Sequence, residues 1–478
     1  MTPRRPRIAF YADDFTGATD ALEALAAAGL ATAVFLDPPT PPQVAALPAL
    51  DGIGIAGTSR TMTPDEMERR LPDAFRALAA TGAPLVHYKV CSTGDSGPGV
   101  GSIGKAIDLG RGLFPTPFVP LMVGMPRLGR YCVFGNVFAR SGLDSEPYRL
   151  DRHPTMRIHP TTPMDEADLR LHLARQTDAP IGLLDVLRLT DESTARRRLD
   201  ELIAGGSRIV LFDVLTDGHV ELLGRLLDAC RTAPVPLFVV GSSAVEHGLV
   251  AWWRATGLLG PTVGAAPRLR PAGRLVVASG SCSPVTDRQI GRAVDAGFGE
   301  VAVDTPALAD PATRQAAIAA ALDAADAHAD AGRSIVFHTA RGPRDPRLLR
   351  TRSALATLRL DSAAALGAGL GMLLERAVLR SGADRVGLAG GDTSSHAARA
   401  LGIEAIRFAA PLAPGSPLCL ARAPGRGVDG LEIFFKGGQN GRDDFFLTAL
   451  AGGEAAGGLP PNPSRTSVDS LTPGTREP

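Results

Sequence analysis

The strongest constraint on the fold is an alternation of short apolar runs with stretches of helical spacing, sustained through most of the chain. Residues 7–36 form one such unit: RIAFYA is apolar, DDFTGATD is polar punctuation, TDALEALAAAG has helical spacing, and ATAVFL is apolar again. DGIGIAG (51–57) reads as a strand, followed by a helix start where Thr63 caps, Pro64 takes the first helical position and Glu66 completes a capping box. PLVHYKV (84–90), IVLFDV (209–214) and PLFVVGSS (236–243) are further strands, each beside a helical pattern. Parallel strands need long crossovers, so this alternation predicts a mostly parallel sheet covered by helices. Residues 257–274, rich in Gly and Pro, interrupt it, and a second alternation runs from LVVASGSC (275–282) through EVAVD, SIVFHT and RVGLAGGD to about residue 450. The expected architecture is α/β in two domains, each a mostly parallel sheet flanked by helices, with the active site in the cleft between them. Their limits are 1–256 and 275–451, with 257–274 as linker and 452–478 as a disordered tail.

Charge narrows the function. Over 478 residues, Lys+Arg and Asp+Glu are both 50, so no single-sign field favours nucleic acid or an anionic membrane surface. No apolar run approaches the ~18–20 residues of a membrane span. Five scattered cysteines without a CxxC pair read as reduced thiols of a cytoplasmic protein. Nine histidines show no metal-binding spacing such as HExxH. Only three basic residues are lysine, Lys89, Lys105 and Lys436, the other 47 being arginine. A lysine in such a chain marks a place suited to a compact ammonium, or it is a chance survivor of compositional drift.

Three groups of residues carry candidate chemistry. Asp13 and Asp14 follow the first strand and lead into a helix, where open α/β sheets bind ligands. Adjacent carboxylates can bind a polyol, deprotonate a hydroxyl or hold Mg²⁺; the plainer role for either is a helix cap. The loops GTSRTM (57–62) and YKVCSTGDSGPGVGSIGKA (88–106) add Arg60, Lys89 and Asp95 at strand ends, a set suited to a small, anionic, hydroxyl-rich ligand. In the second half, Ser281 and Ser283 precede a helix at Pro284, Gly390, Gly391, Asp392 and Thr393 open another, and Gly437 lies in the Gly-rich stretch after Lys436. Helix starts rich in Gly and hydroxyls cradle phosphates, so a nucleotide is expected there, with Asp392 toward Mg²⁺ or a ribose. Gly99–Lys105 fits GxxxxGK, yet Ala106 stands where a P-loop needs Ser or Thr. His153 and His159, six apart in a Pro-rich loop, either line the first site or are ordinary loop histidines, and Ser242, Ser243 and His247 read as strand-to-helix packing without GxSxG.

The stretches ADDFTGATD, TSRTM, KVCSTGDSGPGVGSIGKAIDL, HPTTPM (159–164), SGSCS and GGDTS together resemble the four-carbon acid sugar kinase family, over nearly the whole chain to about residue 450. That resemblance implies an acid-sugar-binding N-terminal domain, an ATP-binding C-terminal domain, and phosphorylation of the terminal hydroxyl of threonate, erythronate, an oxo-tetronate or a related branched oxo-acid. Carried over, the substrate residues are Asp13, Asp14, Arg60, Lys89 and Asp95, with Asp14 and Asp95 as candidates for the base. The ATP residues are those around Ser281, Gly390 to Thr393 and Gly437, with Mg²⁺ accompanying ATP. Two departures fall in the sugar half: Gly94 where the family usually has an aromatic residue, and Asn136 where many members have histidine. The expected partner is a small acid sugar, without nucleic acid or membrane and with a homodimer permitted. The alternatives are a P-loop NTPase built on Gly99–Lys105 and a non-catalytic sugar-acid sensor.

Overall fold

The computed structural model describes residues 5–141, 145–159, 161–231, 234–260 and 268–452. Residues 261–267 of the expected linker, and the expected tail beyond Gly452, lie outside the described residues. Apolar runs become strands and the intervening periodic stretches become helices, as the alternation demands. The Thr63 start forms as read: its backbone amide donates to Glu66 at 2.8 Å, and Pro64 opens a helix to Ala80.

Each half has a mostly parallel set of strands flanked by helices. In the first half the order is Thr32–Phe35, Gly52–Ala56, Ile8–Ala12, Leu85–Lys89, Leu237–Gly241, Val119–Met122, Ile209–Phe212 and Ile181–Leu184, all parallel. In the second it is Gly299–Ala302, Ile335–His338, Leu275–Ser279, Arg385–Ala389 and Glu432–Lys436, also parallel. Between them lies a hairpin absent from the sequence reading, Ala405–Ala413 and Ser416–Arg422, antiparallel to its neighbours on both sides. Ala405, Ile406 and Arg407 pair with Phe35, Val34 and Ala33, so the halves share one sheet of 15 strands. Three successive antiparallel pairings reverse strand direction between the halves. Neighbouring strands also rotate by about 20–25°, and five steps separate Ile8–Ala12 from Glu432–Lys436, so these two strands turn by roughly 100° or more relative to each other. A second sheet of three antiparallel strands, Arg130–Val133, Asn136–Arg140 and Pro147–Arg149, projects from the first half.

The core follows the sheet faces. Under the first half, Tyr11 and Tyr88 stack at 5.8 Å, while Phe75 meets both edge-on and continues to Phe114 and Phe238. In the second half the helix Ser362–Ser381 packs on Asp392–Ala400, with Gly367 and Gly371 allowing close approach. That helix is long and apolar enough to cross a membrane by length and composition, and half of it is buried within the fold. Inspection of the sequence passes over it because Glu375, Arg376 and Arg380 interrupt its apolar run.

Two strand glycines have a steric reason. A Cβ at Gly54 would land in the ring of Phe10, and one at Gly387 in the ring of Phe434. Gly54→Ala and Gly387→Ala are each expected to destabilise the protein by about 1–3 kcal/mol through forced repacking, measured as a lower urea midpoint.

Candidate active site

Asp13 and Asp14 leave the end of strand Ile8–Ala12 and meet Arg60 on a single 3₁₀ turn, Ser59–Thr61. Arg60 donates to both oxygens of Asp13, from Nη2 at 2.8 Å and Nε at 3.2 Å, and from Nη1 to Asp14 at 2.6 Å. The other oxygen of Asp14 accepts the Gly17 amide at 2.6 Å and caps the helix Phe15–Ala26. The capping role and the site role therefore coexist in one carboxylate. Lys89 ends its strand alongside: its carbonyl accepts the Asp13 amide at 2.9 Å, and its Nζ lies 3.2 Å from Asp20. Gly17 is required here, because a Cβ would come 2.8 Å from Asp14 Oδ1. Asp95 accepts the Thr93 hydroxyl in the next loop.

The charges are strongly coupled. Burial pushes the Asp13 carboxyl up to about 6, against the pull of Arg60. Burial works against the Lys89 ammonium, yet Asp20, Glu246, Asp13 and Asp14 raise its pKa above the ordinary value. At Asp95 burial is outweighed by Arg60 and the Thr93 hydrogen bond, which hold the carboxyl low, with His159 contributing. Asp13, Lys89 and Asp95 are buried, whereas Arg60 and Asp14 keep 22% and 18% of their side-chain surface open. Those two present the accessible edge of the cluster.

The loop carrying Asp95 is pinned from beneath. Ser96 meets His172 at 3.1 Å and Gln176 at 2.9 Å, and Gly94, at φ +63°, lies against Leu169. Gln176 Oε1 also accepts the Gly104 amide at 3.2 Å, and Ser102 caps the helix Ile103–Leu113 through the Lys105 amide at 3.0 Å. The GxxxxGK stretch is thus a helix start covered by protein, and Lys105 Nζ turns to Glu68 at 3.0 Å. It forms no phosphate loop, and Lys105 is an ordinary helix lysine. His153 Nδ1 accepts the Thr155 and Met156 amides, each at 3.2 Å, and Ser242 Oγ accepts the Ala244 amide at 3.2 Å, both as local packing. Sequence reading missed Glu246, which pairs with His87 at 2.7 Å in the fully buried core.

In the second half, three neighbouring strand ends converge. Ser283 caps the helix Pro284–Asp295 by accepting the Val285 amide at 3.1 Å, and Ser281 Oγ accepts the Ser283 amide at 3.2 Å. Gly390, at φ +141°, takes a conformation open to glycine, and its amide donates to Lys436 O at 2.9 Å. Gly391 has open space around it, and the helix it precedes, Asp392–Ala400, has no side-chain N-cap bond. A Cβ at Gly280 would come 2.6 Å from Thr393, and one at Gly438 would come 2.9 Å from Ser281. Ser281, Ser283, Gly390, Gly391, Thr393 and Gly437 are therefore brought together around an uncapped helix start, a donor set that fits phosphate. The side chain of Asp392 lies outside the described residues. Among the described residues no group of three or more His, Cys, Asp or Glu is placed to hold a metal ion.

The two clusters meet at one joint. Phe15, next to Asp14, packs against Phe435, next to Lys436, with ring centroids 4.3 Å apart and the rings tilted by 42°. Thr19 donates to Gly415 O at 3.0 Å and Glu23 accepts the Gly415 amide at 2.9 Å, so the helix Phe15–Ala26 clasps the tip of the bridging hairpin. Burial pushes the Glu23 carboxyl up to about 7. Arg399 donates to the carbonyls of Leu36 and Ala56, and Asn440 donates to Ser416 at 3.2 Å. Asp20 and Glu23 escaped the sequence reading, unlike Thr19 on the same helix. Their signal was present, as a polar stripe at three- and four-residue spacing in an Ala/Leu helix.

Comparison with known proteins matches both halves of the chain. Residues 8–249 match the family described as a sugar-binding N-terminal domain, and residues 276–446 the one described as a nucleotide-binding C-terminal domain. The 3-oxo-isoapionate kinase of Paraburkholderia graminis is 44% identical over 442 residues, covering 92% of this chain and 93% of the relative. The 3-oxo-tetronate kinase of Cupriavidus necator is 31% identical, with 93% and 97% covered. The solved structure of a Salmonella typhimurium protein superposes with a TM-score of 0.75 at 25% identity, covering 92% of this chain and 98% of that one. With both halves matched and nearly all of its length shared with such kinases, the chain belongs to the four-carbon acid sugar kinase family.

Proposed function

We propose that the protein transfers the γ-phosphoryl group of ATP to the terminal hydroxyl of an oxo-tetronate or a branched relative of it. The observation that carries this reading is the joint of Phe15 on Phe435, which holds the Asp–Arg–Lys cluster and the glycine-rich helix start on either side of one packed contact. Phosphoryl transfer depends on positioning and charge neutralisation rather than covalent chemistry, and this arrangement offers both. Ser281, Gly390, Gly391, Thr393 and Gly437 hold the phosphates, while Arg60 and Lys89 supply positive charge toward the acid's carboxylate. Magnesium, when bound to the triphosphate, supplies charge neutralisation. Asp14 is favoured over Asp95 as the group that orients or deprotonates the hydroxyl, because it is the more open of the two. A branched substrate is favoured by the higher identity to the 3-oxo-isoapionate kinase than to the 3-oxo-tetronate kinases. The domain limits of 1–256 and 275–451 and a cytoplasmic setting belong to the same reading.

A coupled ADP-release assay over a panel of acid sugars tests it. The highest kcat/KM is expected with 3-oxo-isoapionate, then 3-oxo-tetronates; a protein that binds these acids but releases no ADP would be a sensor. Asp14→Asn is expected to lower kcat by about 10²–10⁴-fold while ADP still binds by calorimetry; a wild-type kcat removes Asp14 from the chemistry. Below about pH 6 the Asp13 carboxyl carries a proton and its ion pair with Arg60 weakens. The kcat/KM for the acid should therefore rise with pH through that value, and Asp13→Asn should lose the step.

A further inference from the structure

Among the described residues Lys436 stands apart from the other buried cations, Lys89 and Arg385, the second of which pairs with Glu432. Lys89 is surrounded by carboxylates, whereas Lys436, 1% exposed, meets only neutral oxygens. Its Nζ donates to Gly437 O at 2.9 Å, Thr286 Oγ1 at 3.1 Å and Gly438 O at 3.2 Å. Thr286 in turn donates to Gly438 O at 2.9 Å, so all three partners accept and all three ammonium hydrogens are used. The helix Phe445–Ala451 presents the Phe445 ring, 5.9 Å away. The nearby acids are engaged elsewhere: Asp287 with Arg341, Asp443 with Arg288, and Glu432 with Arg385. Among the described residues no carboxylate lies within ion-pair distance of Lys436.

The consequence falls on the turn above it. In a trans peptide the carbonyl of one residue points away from the amide of the next. With the Gly437 and Gly438 carbonyls drawn inward, the amides of Gly438 and Gln439 point to the accessible side, and neither donates a hydrogen bond within the described residues. The turn lies directly against Ser281 and Ser283.

We propose that Lys436 is a positioning residue for nucleotide phosphate: its buried ammonium holds the Gly437–Gly438 carbonyls inward, turns the next two amides outward, and leaves a positive charge for the phosphates to neutralise. This rests on the reading of the second half as the ATP site. It goes further in tying nucleotide occupancy to the proton of one buried amine. Burial without a counter-charge brings that amine down to about 7, so near neutral pH it is only partly charged. Bound phosphate favours the ammonium, so binding takes up a proton and nucleotide affinity falls as pH rises above that value.

The test is calorimetry of ADP binding to the full chain at about pH 8, where ADP phosphates are fully ionised, in two buffers of different ionisation enthalpy. A substantial fraction of one proton taken up by the wild type is expected. Lys436→Met should abolish that uptake and weaken ADP at least tenfold, while adenosine binds within twofold of wild type. In turnover, the KM for ATP should rise and the KM for the acid sugar should hold. Proton-neutral ADP binding by the wild type overturns the proposal, and this arm needs no variant, so poor folding of Lys436→Met leaves it decisive. Thr286→Val, which removes one of the three acceptors, should shift ADP affinity in the same direction. Wild-type protein that binds no ADP overturns the nucleotide reading, and the proposal with it.

Discussion

The pairing of Thr32–Phe35 with Ala405–Arg407 is the contact on which the remaining geometry depends. Two α/β halves joined only by a linker would swing freely, since interdomain contacts are commonly small and polar. Here the backbone hydrogen bonds of one sheet run through the boundary. The antiparallel hairpin reverses strand direction, and the accumulated twist turns the two sets of strand ends toward a common joint. That is how Phe15, opening the helix just after one strand, reaches Phe435, near the end of another strand running the opposite way.

The joint also explains the crowding of polar groups on the helix Phe15–Ala26. Its first residue follows Asp14 in the acid cluster, its middle turn supplies Asp20 to Lys89, and its last polar position, Glu23, takes the amide of the hairpin tip. One rigid helix thus touches the acid cluster and the second half together. The two sites treat charge differently. In the first, buried cations and carboxylates neutralise one another, and the open edges of Arg60 and Asp14 offer a balanced surface to a hydroxy acid. In the second, an uncapped helix start lies beside Lys436, which has no carboxylate within ion-pair distance among the described residues, an arrangement that suits an anion brought from solution.

Much of this was legible in the chain. The strands at 8–12, 52–56, 85–89, 275–279 and 385–389 sit where apolar runs announced them, because strand and helix periodicity are local properties. The acid pair, Arg60, Lys89 and the glycine-rich helix starts were legible for a related reason: ligands bind at strand ends, and polar punctuation marks those ends. The GxxxxGK stretch misleads because a motif carries no record of what covers it; Gln176, 72 residues from Gly104, occupies the amide a phosphate would need. The bridging hairpin and the small sheet at 130–149 were not legible as pairings, because antiparallel partners are chosen by burial and register rather than by any local signal.

The sequence by itself determined the alternating elements, the caps, the candidate site loops and the family to which the chain belongs. Only the tertiary structure decided which of those loops meet. Glu23 and Gly415 lie 392 residues apart, and Lys436 and Thr286 lie 150 apart. Such contacts form because a shared sheet fixes the relative position of distant strands, and side chains then satisfy the polar groups it buries. The three lysines show the division plainly. Composition singled them out alike, while burial and neighbours made one a surface helix residue, one a member of an ion cluster and one a buried cation with no carboxylate in ion-pair distance among the described residues.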